Sequence, residues 1–130
     1  METINHECYV SLEVAKLLKQ AGFDWKCNGV FLSEDGTQYA FFKSDAACDN
    51  NNSKYNPYNI SAPTLEIAQR WLREVRREYV VVHPIVNKWF YSIHRPNFGH
   101  YYRDKKFSTY EEAQEAGIKK VIEIISKKGD

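Results

Sequence analysis

Two histidines, His94 and His100, bracket the turn-forming stretch Arg95-Pro96-Asn97-Phe98-Gly99, and Asp104 follows them. Two imidazoles and a carboxylate are the groups from which a metal site or an acid-base pair is built. Their spacing matches no metal-ligand signature, and an isolated histidine without a converging third ligand is more simply a solvated one. The sequence therefore implies no metal, no cofactor and no catalytic residue; His94, His100 and Asp104 mark the place where a small enzyme's site would lie.

Three arginines form a second candidate. Arg70, Arg73 and Arg77 stand at i, i+3 and i+7, one stripe of a predicted helix that could meet phosphates. Glu66, Glu74 and Glu78 are interleaved with them, and Glu66 with Arg70, then Arg70 with Glu74, make the i, i+4 pairs of an ordinary solvated helix face. The formal net charge of +1 provides no whole-chain field to draw in nucleic acid. Nucleic-acid binding is thus the alternative reading and not the first.

The third candidate is a set of tyrosines outside the helical segments: Tyr55 and Tyr58 in an asparagine-rich stretch, Tyr101 and Tyr102 beyond the His94–Gly99 turn. Tyrosine joins an apolar body to a polar tip and suits protein-binding surfaces, and asparagine beside it supplies adaptable hydrogen bonding. These four residues are the expected contacts for a protein partner. Cys8, Cys27 and Cys48, odd in number and widely spaced, fit neither a disulfide framework nor a zinc knuckle and are expected as free thiols. Nucleophile-elbow, phosphate-loop, H-E-x-x-H and paired C-x-x-C motifs are all missing from the sequence.

The elements that must position these groups are easier to read. Ser11-Leu12-Glu13-Val14-Ala15, Thr64-Leu65-Glu66-Ile67-Ala68 and Thr109-Tyr110-Glu111-Glu112-Ala113 each place a hydroxyl where it can cap a helix and an early glutamate where it meets the positive end of the helix dipole. Glu112 completes a capping box. Apolar residues then recur at helical spacing: Val14, Leu17, Leu18 and Ala21; Leu65, Ala68, Leu72 and Val75; Ile118, Val121, Ile122 and Ile125. Gly22 is the expected stop of the first helix, with Phe23 folding back on it. Gly117 inside the third costs about 1 kcal/mol relative to alanine, which close packing would explain. Trp71 falls beside the apolar stripe of the second helix and is expected in the core.

Aromatic and β-branched runs read as two hairpins: Val30 to Ser33 with Thr37 to Lys43, and Tyr79 to Val86 with Trp89 to Arg95 around Asn87-Lys88. Pro84, which cannot donate to a ladder, makes Tyr79 to Val86 an edge strand or a strand broken at that residue, and a short strand is expected near His100 to Arg103. The reading is one α+β domain over residues 1–130, three amphipathic helices packed on antiparallel sheet from two hairpins, in the order α-β-β-α-β-β-(β)-α. A long asparagine-rich loop spans 44–63. Composition, 43% hydrophobic and 27% charged over 130 residues, is that of a globular protein. The opening residues show no signal-peptide pattern and no segment is apolar enough to span a membrane, so a cytoplasmic protein without membrane contact is expected.

At CYVSLEVAKLLKQAGFDW, APTLEIAQRWLREV and YRDKKFSTYEEAQEAGIKKVIEII the sequence resembles a group of small proteins of gut anaerobes and their prophages, in which the Trp-Leu-Arg-Glu-Val and Tyr-Glu-Glu-Ala helices recur. The resemblance implies a phage or mobile-element setting; the group has no established activity and supplies no catalytic residue. Residues 64 to 126 also read as α-β-β-β-α, the element order of double-stranded-RNA-binding domains, but Tyr110-Glu111-Glu112 stands where those domains carry a lysine cluster. A non-enzymatic protein-binding or accessory module is the function expected.

Overall fold

In the computed structural model, which describes residues 8–33, 39–41, 52, 59–96, 99–102 and 105–127 (the backbone alone at 39–41, 100–102 and 127), each of the three hydroxyls caps a helix. Helix α1 spans Leu12–Ala21, α2 Leu65–Trp71 and α3 Tyr110–Lys127. Ser11 Oγ accepts from the Val14 N–H at 3.3 Å, Thr64 Oγ1 from Ile67 at 3.2 Å and Thr109 Oγ1 from Glu112 at 3.1 Å. The Glu112 carboxylate returns the bond, accepting from the Thr109 and Ser108 N–H groups. Replacing Ser11, Thr64 or Thr109 by alanine is expected to cost about 0.5 to 2 kcal/mol each in denaturant unfolding, with additive effects.

Gly22 ends α1 in the left-handed region at φ 98°, its N–H bonding to Lys19 O while Phe23 N–H bonds to Leu18 O. This pair of bonds is the Schellman motif, and it turns Phe23 inward, where it is 1% exposed.

Helix α2 departs from its expected course. After Trp71 the chain widens into a π-helical turn over Leu72–Arg76, and Arg77 leaves it in the left-handed region at φ 60°. An i→i−5 winding moves later residues around the axis. Trp71 and Leu72 are both buried, whereas Val75, expected on the same apolar stripe, is turned out and 49% exposed. Arg76 is redirected as well, and its Nη1 donates to Ala21 O at the end of α1.

Among the described residues the strands form two three-stranded antiparallel sheets. In the first, β1 (Gly29–Phe31) pairs with β2 (Tyr39–Phe41) and with β3 (Ile60–Ser61), in the order β2-β1-β3. The short strand β3 lies inside the stretch read from sequence as loop 44–63; two residues are too few to show a period. Asn52 helps hold it, its side chain accepting from Ser61 N–H and donating to Phe23 O. In the second sheet β4 (Tyr79–Ile85), β5 (Lys88–Arg95) and β6 (Gly99–Tyr102) run in that order. Pro84 thus lies on an edge strand, as its missing N–H requires. The β4–β5 turn falls at Val86–Asn87, one residue earlier than the sequence indicates, with φ of 37° and 63°. Two successive positive φ values are those of a type I′ turn, which matches the twist of a hairpin.

Helix α3 packs against β4 and β5 and also touches α1 and α2. Gly117 is the point of closest approach: a Cβ built there meets Val80 Cγ1 at 2.6 Å and Tyr91 Cγ at 3.2 Å. Gly117→Ala should therefore destabilise the protein by about 1 to 2 kcal/mol in denaturant unfolding, overpacking outweighing the gain in helix propensity. Val80, stiff at χ1, has little room to relieve the contact. One buried polar relay crosses the same junction. Gln114, 1% exposed, donates through Nε2 to Glu66 Oε2 and Gln69 Oε1, and Gln69 Nε2 donates to Val80 O.

Candidate functional site

Alternation along β4 and β5 sorts their residues onto two faces. Val80, Tyr91 and Ile93 turn toward α3 and are buried. Val81, His83, Phe90, Ser92 and His94 belong to the other face, opposite α3. The register pairs Val81 with Ser92, His83 with Phe90 and Tyr79 with His94. Ser92 therefore has His94 two residues along its own strand and His83 on the diagonal of the neighbouring one. Its Oγ lies 2.7 Å from His83 Nε2 and 3.0 Å from His94 Nε2.

One hydroxyl carries one hydrogen, so with both rings neutral Ser92 donates to one Nε2 and accepts from the Nε2–H of the other. The two tautomers are thereby made complementary. Ser92 is fully buried and cannot reach a substrate, so it acts as a strut that orients the rings. His83 is held further by stacking on Phe90, centroids 4.7 Å apart and planes 16° from parallel. Around this row Val81 is 37% exposed, and His83, Phe90 and His94 are half-buried.

The residues singled out from sequence meet this sheet only in part. His94 belongs to it, and His100 lies directly opposite His94 in the β5–β6 register. Asp104, Tyr55, Tyr58 and Cys48 lie outside the described residues. Among the described residues no group of three histidine, cysteine or acidic side chains is placed to hold a metal ion. Tyr102 pairs with Ser92 and Tyr101 with Ile93.

The three arginines of the stripe are exposed and stand on different windings of the chain. Arg70 Nε is 2.8 Å from Glu74 Oε2, and its guanidinium lies 5.9 Å from the centroid of the Trp25 ring. Arg73 falls in the π-helical turn and Arg77 beyond it. The order α2-β4-β5-β6-α3 is the α-β-β-β-α read from sequence. At the start of α3, however, Glu111 and Glu112 are exposed, an acidic surface where a phosphate backbone would need cations.

His83, Ser92 and Phe90 carry the site and were not singled out in the sequence. The available signal was the alternation of Phe90, Ser92 and His94; that His83 joins them depends on the β4–β5 register. Tyr110, near the other end of the sheet's covered face, packs edge-on to Trp89 at 5.4 Å. Burial, then the charges of Glu66 and Glu111, raise its phenol pKa above the ordinary tyrosine value. Among the described residues no helix is long and apolar enough to cross a membrane. Set against known proteins, the chain matches no family model, no curated protein and no solved structure.

Proposed function

We propose that the chain is a small non-enzymatic module that binds a protein partner through the outer face of the β4–β5–β6 sheet. The observation that carries this reading is the pair of imidazoles held by a buried serine on a sheet face that α3 leaves uncovered, with Val81 and Phe90 beside them. Rings oriented in advance lose little side-chain entropy on binding, and a row of half-buried aromatic and aliphatic groups supplies the apolar area that protein interfaces use. Tyr102 stands opposite Ser92 in the β5–β6 register. The resemblance to prophage-borne proteins suggests a mobile-element setting, and a cytoplasmic location is consistent with the free thiols of Cys8 and Cys27.

Affinity capture from the source organism tests the reading with three proteins: the wild type, Val81→Glu and His83→Ala. A partner recovered by the wild type and lost by both variants, with unfolding midpoints preserved, supports it. Equal recovery by all three overturns it. Sequence-independent retention on RNA or DNA that is lost on Arg70→Glu plus Arg73→Glu would restore the nucleic-acid alternative.

A further inference from the structure

A second surface lies where the start of α1, the segment 105–108 and one flank of α3 enclose a groove. Its two adjoining cavities, about 490 Å³ and about 220 Å³, share Lys105, Phe107, Ala116 and Lys119 as lining. Segment 105–108 is fastened by Phe107, which exchanges both backbone hydrogen bonds with Trp89. The groove therefore has a fixed wall.

Its charges divide into those already matched and those that are not. Glu13 pairs with Lys119 at 2.9 Å. Glu115 accepts from the Ser11 N–H at 2.7 Å, and Glu112 from the N–H groups of Ser108 and Thr109. At the far end Glu123 lies in the field of Lys119. Lys105 and Lys106 are exposed and have no ion-pair partner among the described residues, Lys105 lying 5.4 Å over the Phe107 ring. What the groove offers a ligand is thus two exposed ammonium groups with no ion-pair partner among the described residues, beside an apolar floor of Phe107 and Ala116.

We propose that this groove binds an extended acidic peptide of a partner protein, its carboxylates meeting Lys105 and Lys106 and its intervening apolar side chains lying on Phe107 and Ala116. A peptide with spaced carboxylates can address the two lysines and avoid the acidic wall. A nucleic acid cannot, because its evenly charged backbone would run past Glu13, Glu112, Glu115 and Glu123. This inference stands on a different surface from the sheet face and does not depend on that reading.

The test is a backbone-amide NMR titration of the full chain with three probes: a synthetic peptide of alternating glutamate and leucine, its counterpart with lysine for glutamate, and a single-stranded oligothymidylate. The acidic peptide should give saturable shifts centred on residues 105–108 and 116, weakened by added salt as rim charges are screened. Its affinity should fall about tenfold in Lys105→Glu and in Lys106→Gln, both at exposed positions that leave the fold intact. Absence of saturation up to about 1 mM peptide, equal binding of the lysine peptide, shifts confined to other surfaces, or preferential binding of the oligonucleotide would each overturn the proposal.

Discussion

Trp71→Ala will lower the unfolding free energy by about 3 to 5 kcal/mol, the range for removing a large buried aromatic ring. Trp71 is 1% exposed and meets Phe23 edge-on, ring centroids 5.5 Å apart and planes at 71°. Removing the indole takes away that contact and leaves a cavity between the end of α1 and the start of the π-helical turn, where Leu18 and Leu72 are also fully buried. Nothing nearby is free to collapse into the space, since Phe23 is tied by the Schellman bond of its own N–H. Trp71→Phe should be much milder. It keeps most of the apolar volume and deletes a buried Nε1–H that has no hydrogen-bond partner among the described residues, a group whose desolvation already counts against the fold. Equilibrium denaturant unfolding of the two variants decides the matter, and a loss for Trp71→Ala below about 1 kcal/mol would show that the ring is not a core member.

Glu78→Ala is expected to cost about 3 kcal/mol, nearly as much as the tryptophan, although it removes no hydrophobic group. Glu78 follows the left-handed Arg77, and its N–H closes on Leu72 O, which places its side chain at the base of the sheet. There its carboxylate accepts from Arg95 Nε at 2.8 and 3.0 Å, with side-chain exposures of 9% for Glu78 and 13% for Arg95. Deleting the carboxylate removes the countercharge that Glu78 supplies to a guanidinium with little water near it. Replacing both partners with apolar residues, Glu78→Leu with Arg95→Met, should cost less than the single substitution, because no buried charge is then stranded. A double-mutant cycle measures the coupling directly, and additivity of the two single effects would show that the pair is solvated after all. The contrast with Arg70 and Glu74 is instructive. That pair is as short, 2.8 Å, but 57% and 45% exposed, and contributes little.

Gly117 shows how far local and tertiary information can agree. Its cost to helix propensity was visible in the sequence, and so was the explanation in kind, a close approach; the partners, Val80 and Tyr91, came only with the packing of α3 on the sheet. The two aromatic hairpins were legible, but not that they belong to separate sheets or that Ile60–Ser61 supplies a third strand to the first.

What the sequence determined by itself is local. Ser11, Thr64 and Thr109 begin helices because a hydroxyl satisfies an orphan N–H within its own first turn, Gly22 stops one because it alone enters the left-handed region without strain, and Pro84 keeps β4 at an edge because it lacks a donor. Each of these causes acts over a few residues and leaves its mark in them. The tertiary structure decided the rest. Helical spacing puts Val75 on the apolar stripe, whereas in the π-helical turn that follows Trp71 it is half exposed, with Trp71 and Leu72 buried. Arg70, Arg73 and Arg77 are spaced for a regular helix, and the π-helical turn interrupts that winding after Trp71. His83, Ser92 and His94 converge only through the β4–β5 register, since a shift of one residue would send one strand's side chains to the opposite face. Long-range pairing of this kind depends on which surfaces bury together, and no short stretch of sequence records it.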